Sequence, residues 1–269
     1  MNKFLLYILL FASLLITNCD DVSVINPQLS YKEYVVVRAE LRPYLPIEGV
    51  NISKTLPINE PYDTNKAFIK DAEVYLKING VKIVPLHYYK GGLYKLYGNL
   101  SPAPGETYEL FASANNTSFY AITRIPNLPQ VTNVFYSNGH LSASVKSNPN
   151  EVYGALWAIV NPFSSLVIDA GNDFLSIVGA SDNTTSSYTD VSTKDFPADY
   201  NSDTYKYYRC IKVYAFDAPY LKYFNTKNYN QPVSNAFVQG GDQISWNVHG
   251  ENVIGLFIGV AEGNYVRSN

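Results

Sequence analysis

The stretch from Ala72 to Ile83 constrains the fold of this chain more than any other. Ala72, Val74, Leu76 and Ile78 alternate with Glu73, Tyr75 and Lys77, Asn79-Gly80 follows, and Val81 and Ile83 resume the alternation. A period of two puts each set on its own face of a strand. Asn-Gly between two such runs is the strongest short-range signal for a hairpin, because a type I′ turn requires positive φ at both central residues. Val35, Val37, Ala39 and Leu41 repeat the pattern against Tyr34, Val36, Arg38 and Glu40. With 24 tyrosines and a single methionine, the composition also suits a pleated surface, where aromatic and β-branched side chains pack well. An all-β chain is predicted.

Turn residues divide the rest. Gly91-Gly92, Pro102-Ala103-Pro104-Gly105 and Asn115-Asn116 separate strands predicted at Leu93 to Tyr97, Thr107 to Ala114 and Ser118 to Ile125, which gives a β-sandwich over residues 34–125. Pro126 and Pro129 interrupt any ladder, so a linker is placed at 126–130. A second β-rich module then covers 131–269. Its strands are predicted at Val131 to Tyr136, Leu141 to Val145, Val152 to Val160, Tyr205 to Phe216, Trp246 to Val248 and Val253 to Val260. A short helix from Pro219 to about Phe224 is to be capped by Asp217. Residues 181–203 are rich in Ser, Thr, Asp and Asn and read as a long polar loop.

The amino terminus carries a different message. Lys3, the apolar run from Phe4 to Ile16 and Thr17-Asn18-Cys19 read as a secretory signal over residues 1–18, with an apolar core shorter than the roughly 20 residues of a membrane span. Leu15-Ile16-Thr17-Asn18-Cys19 is similar to a bacterial lipoprotein box, in which the cysteine is acylated. Cys19 is therefore the candidate lipidation site, and residues 19–33 are read as a tether. Several acyl chains on one residue hold a protein stably at a membrane. Cys210, the one other cysteine, is then left to serve as a small buried hydrophobe.

Taken together, these features resemble a family of Bacteroidota outer-membrane lipoproteins of unknown function, the DUF4249 domain family. The resemblance is carried by Cys19, the strand Tyr34-Val35-Val36-Val37 and the phrase Ile69-Lys70-Asp71-Ala72-Glu73-Val74. It is carried further by Pro104-Gly105-Glu106-Thr107-Tyr108-Glu109-Leu110, Ile125-Pro126-Asn127-Leu128-Pro129, and Pro232-Val233-Ser234-Asn235 followed by Gly255-Leu256-Phe257. It implies that the first module is immunoglobulin-like, that the protein is anchored at the outer membrane, and that relatives are encoded beside TonB-dependent receptors. It implies no catalytic residues.

The remaining residues carry little recognisable chemistry. His87, His140 and His249 stand in separate segments with no metal-ligand spacing. Neither a Gly-x-Ser-x-Gly elbow nor a phosphate-binding glycine loop occurs. A glycosidase pair leaves no motif of its own; Glu151, Asp169 or Asp173 could supply one. Asp169, Asn172 and Asp173 surround Gly171 and form a weak candidate calcium loop, without the spacing of an EF-hand. The net charge of -3 and the lack of a Lys/Arg cluster argue against nucleic acid. No cofactor is implied.

Tyrosine is the better lead. Tyr205, Tyr207, Tyr208, Tyr220 and Tyr223 concentrate in the second module, and adjacent strand residues such as Tyr207 and Tyr208 face opposite ways. Tyr gives a large amphipathic contact area at low entropic cost. The alternative is cross-strand packing within the sheets. The reading reached is a non-enzymatic lipoprotein of the cell envelope acting as accessory or ligand-capture partner of an outer-membrane receptor. A surface adhesion protein and a lipid-anchored hydrolase are the alternatives.

Overall fold

The computed structural model describes residues 31–57, 60–179, 187–197, 207–227 and 244–268. The signal, Cys19, Tyr205 and part of the polar segment lie outside the described residues. Residues 33–269 form one compact unit, and its described elements are β throughout except for two short helices.

The predicted hairpin joins β3 (Glu73–Ile78) to β4 (Lys82–Lys90). Asn79 and Gly80 take φ of 49° and 71°, and the Asn79 Oδ1 accepts the backbone N–H of Thr107, which ties the turn to β6 (Thr107–Ala114). Around this hairpin run β1 (Val35–Leu41), β2 (Val50–Lys54), β5 (Leu93–Lys95) and β7 (Thr117–Arg124), with α1 (Thr64–Ala67) between β2 and β3. Their inward residues, among them Val37, Leu41, Ile52, Leu76, Tyr108, Leu110 and Phe119, build the first core. β4 pairs with β3 at one end and β5 at the other, so the sheet folds over this core as a sandwich.

Beyond Pro129 come β8 (Val131–Ser137), β9 (His140–Lys146), β10 (Glu151–Val160), β11 (Val167–Ala170), β12 (Val178–Gly179), β13 (Tyr188–Ser192), β14 (Tyr208–Asp217), α2 (Pro219–Lys227), β15 (Val248–Gly250) and β16 (Val253–Arg267). A three-stranded sheet ordered β13-β9-β8 covers one face of β10 and β14, enclosing a second core with Leu141, Tyr153, Trp157, Ile211 and Val213. The other face is covered by α2 and residues 174–177 through Phe174, Ile177, Phe216 and Phe224. Strand β10 is thus buried on both faces, which explains its nearly unbroken apolar sequence.

The polar segment departs from expectation. Tyr188–Ser192 is a strand, not part of a loop, pairing antiparallel with β9. Its inward Val191 is buried. Its outward side chains meet β9 in polar pairs, Ser192 with the Ser142 hydroxyl and Asp190 accepting from Ser144. Cross-strand hydroxyl pairs stabilise a sheet without leaving an apolar period to read.

Strand β16 serves both cores. Val253 and Phe257 enter the first and Ala261 the second, while the strand runs parallel to β1 and then antiparallel to β14. Gly255 is required where it lies: its φ is 144°, and a Cβ there would come within 2.0 Å of the Val37 carbonyl oxygen. Along the edge of β16 away from β1, side chains replace strand partners. The Asn247 amide accepts from Phe257 N–H and donates to Phe257 C=O, and the Thr123 hydroxyl accepts from Gly259 N–H.

Two buried carboxylates, each 7% exposed, hold the passage between the cores. Glu151 and Asp217 are register partners on β10 and β14. Asp217 accepts from the Thr123 hydroxyl and from the backbone N–H groups of Arg124 and Ala218. Glu151 accepts from both the backbone and side-chain nitrogens of Asn127, and from Asn148 and Tyr153. The predicted cap role of Asp217 is thereby revised. It meets Ala218, just before α2, with one oxygen and gives the other to β7.

Candidate functional site

The outer face of β1 and β16 is the floor of a groove. On β1 the residues that face away from the first core are Val36, Arg38 and Glu40; on β16 they are Leu256, Ile258, Val260 and Glu262. These are the off-phase members of the same alternation that builds the core, so a single period of two supplies both surfaces. The groove encloses about 1060 Å³.

Its wall is aromatic. Helix α2 places Tyr220, Tyr223 and Phe224 on one side at spacings of three and four. Tyr220 stacks on Phe216 with centroids 4.1 Å apart and planes 14° from parallel. The row continues through Tyr223, 5.7 Å from Tyr220, to Trp246, 5.3 Å further. At the other end Phe174 meets Phe216 at 5.6 Å and Tyr214 at 5.5 Å, both edge-on. Six rings therefore line one side in mutual contact. Burial pushes the Tyr220 phenol up to about 12, with nearby Tyr223, Glu40 and Asp173 adding to the shift, so it remains a neutral hydrogen-bonding group.

Charge runs along the rim beside Tyr214, the register partner of Glu262. Arg42 bridges Glu40 and Glu262, at 2.8 Å to each, and Glu262 continues to Lys212. Burial works against the Lys212 ammonium, and its hydrogen bonds to Glu262 and Tyr214 outweigh that, so its pKa is raised. Lys212 also lies 5.1 Å from the centre of the Tyr214 ring, which links rim to wall. Rings beside paired charges can stack on a ligand's apolar faces while donating and accepting hydrogen bonds at its edges.

Of the predicted site residues, Tyr220 and Tyr223 are in this groove. Tyr207 and Tyr208 are not: Tyr208 opens β14, opposite Val160, and packs beside Ala158, Val160 and Cys210. Phe174, Trp246, Arg42 and Glu262 escaped sequence reading because they stand far apart in the chain and carry no motif. The candidate calcium loop is a turn whose acids are otherwise engaged. Asp173 pairs with Lys194, which holds its carboxyl below the ordinary range, and Asp169 accepts from Ala170 N–H. Among the described residues no three of His, Cys, Asp and Glu group as a metal site would require. The glycosidase candidates also separate by role, since Glu151 belongs to the junction and Asp173 to an ion pair. His87 and His249 pack on the rings of Tyr97 and Tyr120, and His140 lies 3.7 Å from Asp195.

Fold and groove define a class: an all-β protein with two cores sharing one strand and an aromatic-walled groove on that strand's outer face. The chain belongs to the family described as Domain of unknown function (DUF4249), whose model matches residues 22–265. No curated protein matches the sequence.

Proposed function

We propose that this protein is a non-enzymatic lipoprotein of the cell envelope, anchored through Cys19, which captures a ligand for, or docks onto, a TonB-dependent receptor of the outer membrane through the groove between α2 and β1–β16. The observation that carries the reading is the unbroken row of rings from Tyr214 to Trp246 facing an open sheet surface with paired charges. Such a surface gives rigid contact area beside polar groups that can exchange partners. The non-enzymatic part is supported by Glu151 and Asp217, the buried carboxylates among the described residues, whose oxygens are taken up by donors of the chain itself.

Two measurements test it. Metabolic labelling with a clickable fatty acid is expected to mark the wild type and not Cys19→Ser; equal labelling of both removes the anchor from the reading. Affinity purification from native membranes is expected to recover a receptor with the wild type and to lose most of it with Tyr223→Ala combined with Trp246→Ala. A variant that melts like wild type and still recovers the receptor in full refutes the groove as the contact.

A further inference from the structure

At the far end of the β10–β14 sheet the chain makes a tight, uncharged tip. Asn161 N–H donates to Leu166 C=O, Ser165 N–H donates to Asn161 C=O, and the Asn161 Oδ1 accepts from the N–H groups of Phe163 and Ser164. Four hydrogen bonds thus fix six residues, and they hold two large apolar side chains out in solvent on either side of Ser164 and Ser165. Phe163 is 89% exposed and Leu166 68%, with Val167 and Ile168 following on the edge strand β11, also exposed. No charged residue occurs from Val152 to Ile168. Rigid exposure of large apolar side chains in one place marks a contact surface.

The residues behind the tip indicate what it contacts. Tyr208 stands across β14 from Val160, at the base of the loop, and the guanidinium carbon of Arg267 lies 3.8 Å from the centre of its ring. One residue further along, Arg209 is the register partner of Ile159 and covers the Tyr136 ring at 4.2 Å. Asp169, the register partner of Ile159 on its other side, adds a carboxylate at that level. The order from the tip inward is therefore aliphatic and phenyl groups, then Tyr208 with the Arg267 guanidinium on its ring, then Arg209. A bilayer presents the complementary order from its interior outward: hydrocarbon, the interfacial zone that favours tyrosine, and anionic headgroups that attract arginine. A protein partner would require no such layering.

We propose that the Asn161–Ile168 tip is a lipid-contact site that inserts Phe163 and Leu166 into the interface of an anionic bilayer. The insertion is shallow, on the order of the 5–10 Å reached by interfacial helices. It gives the molecule a membrane contact besides the acyl anchor and so fixes which way the groove faces. Residence in the envelope, as proposed above, supplies only the setting; lipid contact by the tip is measured independently of it.

The test uses the full chain carrying Cys19→Ser, with a nitroxide label at Leu166→Cys or, as control, at Val81→Cys, a hairpin residue 82% exposed. Cys210 is buried and its thiol is pushed up by burial, so it resists the label. In vesicles of phosphatidylethanolamine and phosphatidylglycerol, the label at 166 is expected to gain collisions with oxygen and lose them with a water-soluble nickel chelate, while the label at 81 does neither. Phe163→Ser is expected to lower the vesicle partition coefficient by roughly tenfold, the cost of returning one phenyl group to water. A label at 166 that stays in water overturns the proposal. So does protection that appears only in native membranes and not in pure lipid, because the tip then meets a protein.

Discussion

The junction between the cores and the groove beside it use the same residue type to opposite ends. At the junction Asp217 and Glu151 are almost wholly buried and accept from fixed donors of the chain, Thr123, Arg124, Asn127, Asn148, Tyr153 and Ala218. In the groove Glu40 and Glu262 keep substantial exposure, 57% and 29% of their side chains, and their partners are flexible cations. A buried carboxylate with fixed donors cannot release them cheaply, whereas a solvated ion pair exchanges partners at little cost. The difference separates framework from binding surface within one molecule, although the two lie only a few positions apart in the chain: Asp217 ends β14 and Tyr220 stands in the first turn of α2.

The largest effect is expected at Asp217. Asp217→Ala leaves the N–H groups of Arg124 and Ala218 and the Thr123 hydroxyl without their acceptor, and is expected to cost about 2–4 kcal/mol in urea unfolding. A loss under about 1 kcal/mol would show that the junction is no more rigid than the surface. Asp217→Asn retains an acceptor oxygen and should fall between the two.

Acid sharpens the contrast because the signs are opposite. Burial raises the Asp217 pKa against the hydrogen bonds that lower it. The folded protein therefore takes up this proton before the unfolded chain does, and the Asp217 contribution is largest below the ordinary value of 3.8 and lost as pH rises through the folded value. Asp173, held down by Lys194, behaves the other way: its contribution is present above 3.8 and is lost as pH falls through the folded value. The difference in unfolding free energy between wild type and Asp217→Asn should thus move toward wild type on acidification, and that for Asp173→Asn should move away from it. Parallel slopes would mean that the two sites share one environment. The Asp173 slope will be the shallower, since both partners are about half exposed.

The hairpin at Asn79-Gly80, the alternation in β1 and the buried run of β10 were legible because each writes its environment into a local period. Strand β13 was not legible, because its pairing with β9 depends on backbone and on hydroxyl pairs such as Ser142 with Ser192. Nor was the parallel pairing of β1 with β16, which joins Val37 to Gly255 across most of the chain; only the geometry explains why a glycine stands there. The groove was half legible. Clustered tyrosines pointed to Tyr220 and Tyr223 on α2, but its floor is made of Val36, Arg38, Glu40 and Leu256, which in sequence look like the ordinary solvent face of an amphipathic strand. Whether such a face is bare or becomes a floor depends on what packs beside it, here α2, Phe174 and Trp246, and no local pattern carries that.

The smallest expected effect lies at Arg42, and it is where the groove differs most from the junction. Arg42 sits between Glu40 and Glu262 at hydrogen-bond distance from both, so a count of contacts would rank it with Asp217. Its side chain is 43% exposed, however, and water solvates all three groups when the bridge opens. Arg42→Ala should therefore change the urea midpoint by less than about 1 kcal/mol in stability, and should do less still in high salt, where exposed charges are screened. Glu262 keeps Lys212 as a partner in that variant, which removes the main penalty of leaving a charge alone. If Arg42→Ala instead costs as much as Asp217→Ala, the rim is part of the folding framework and the groove's charges are not free to meet a ligand. Near-neutral stability combined with reduced receptor recovery would place Arg42 on the binding surface, beside Tyr223 and Trp246.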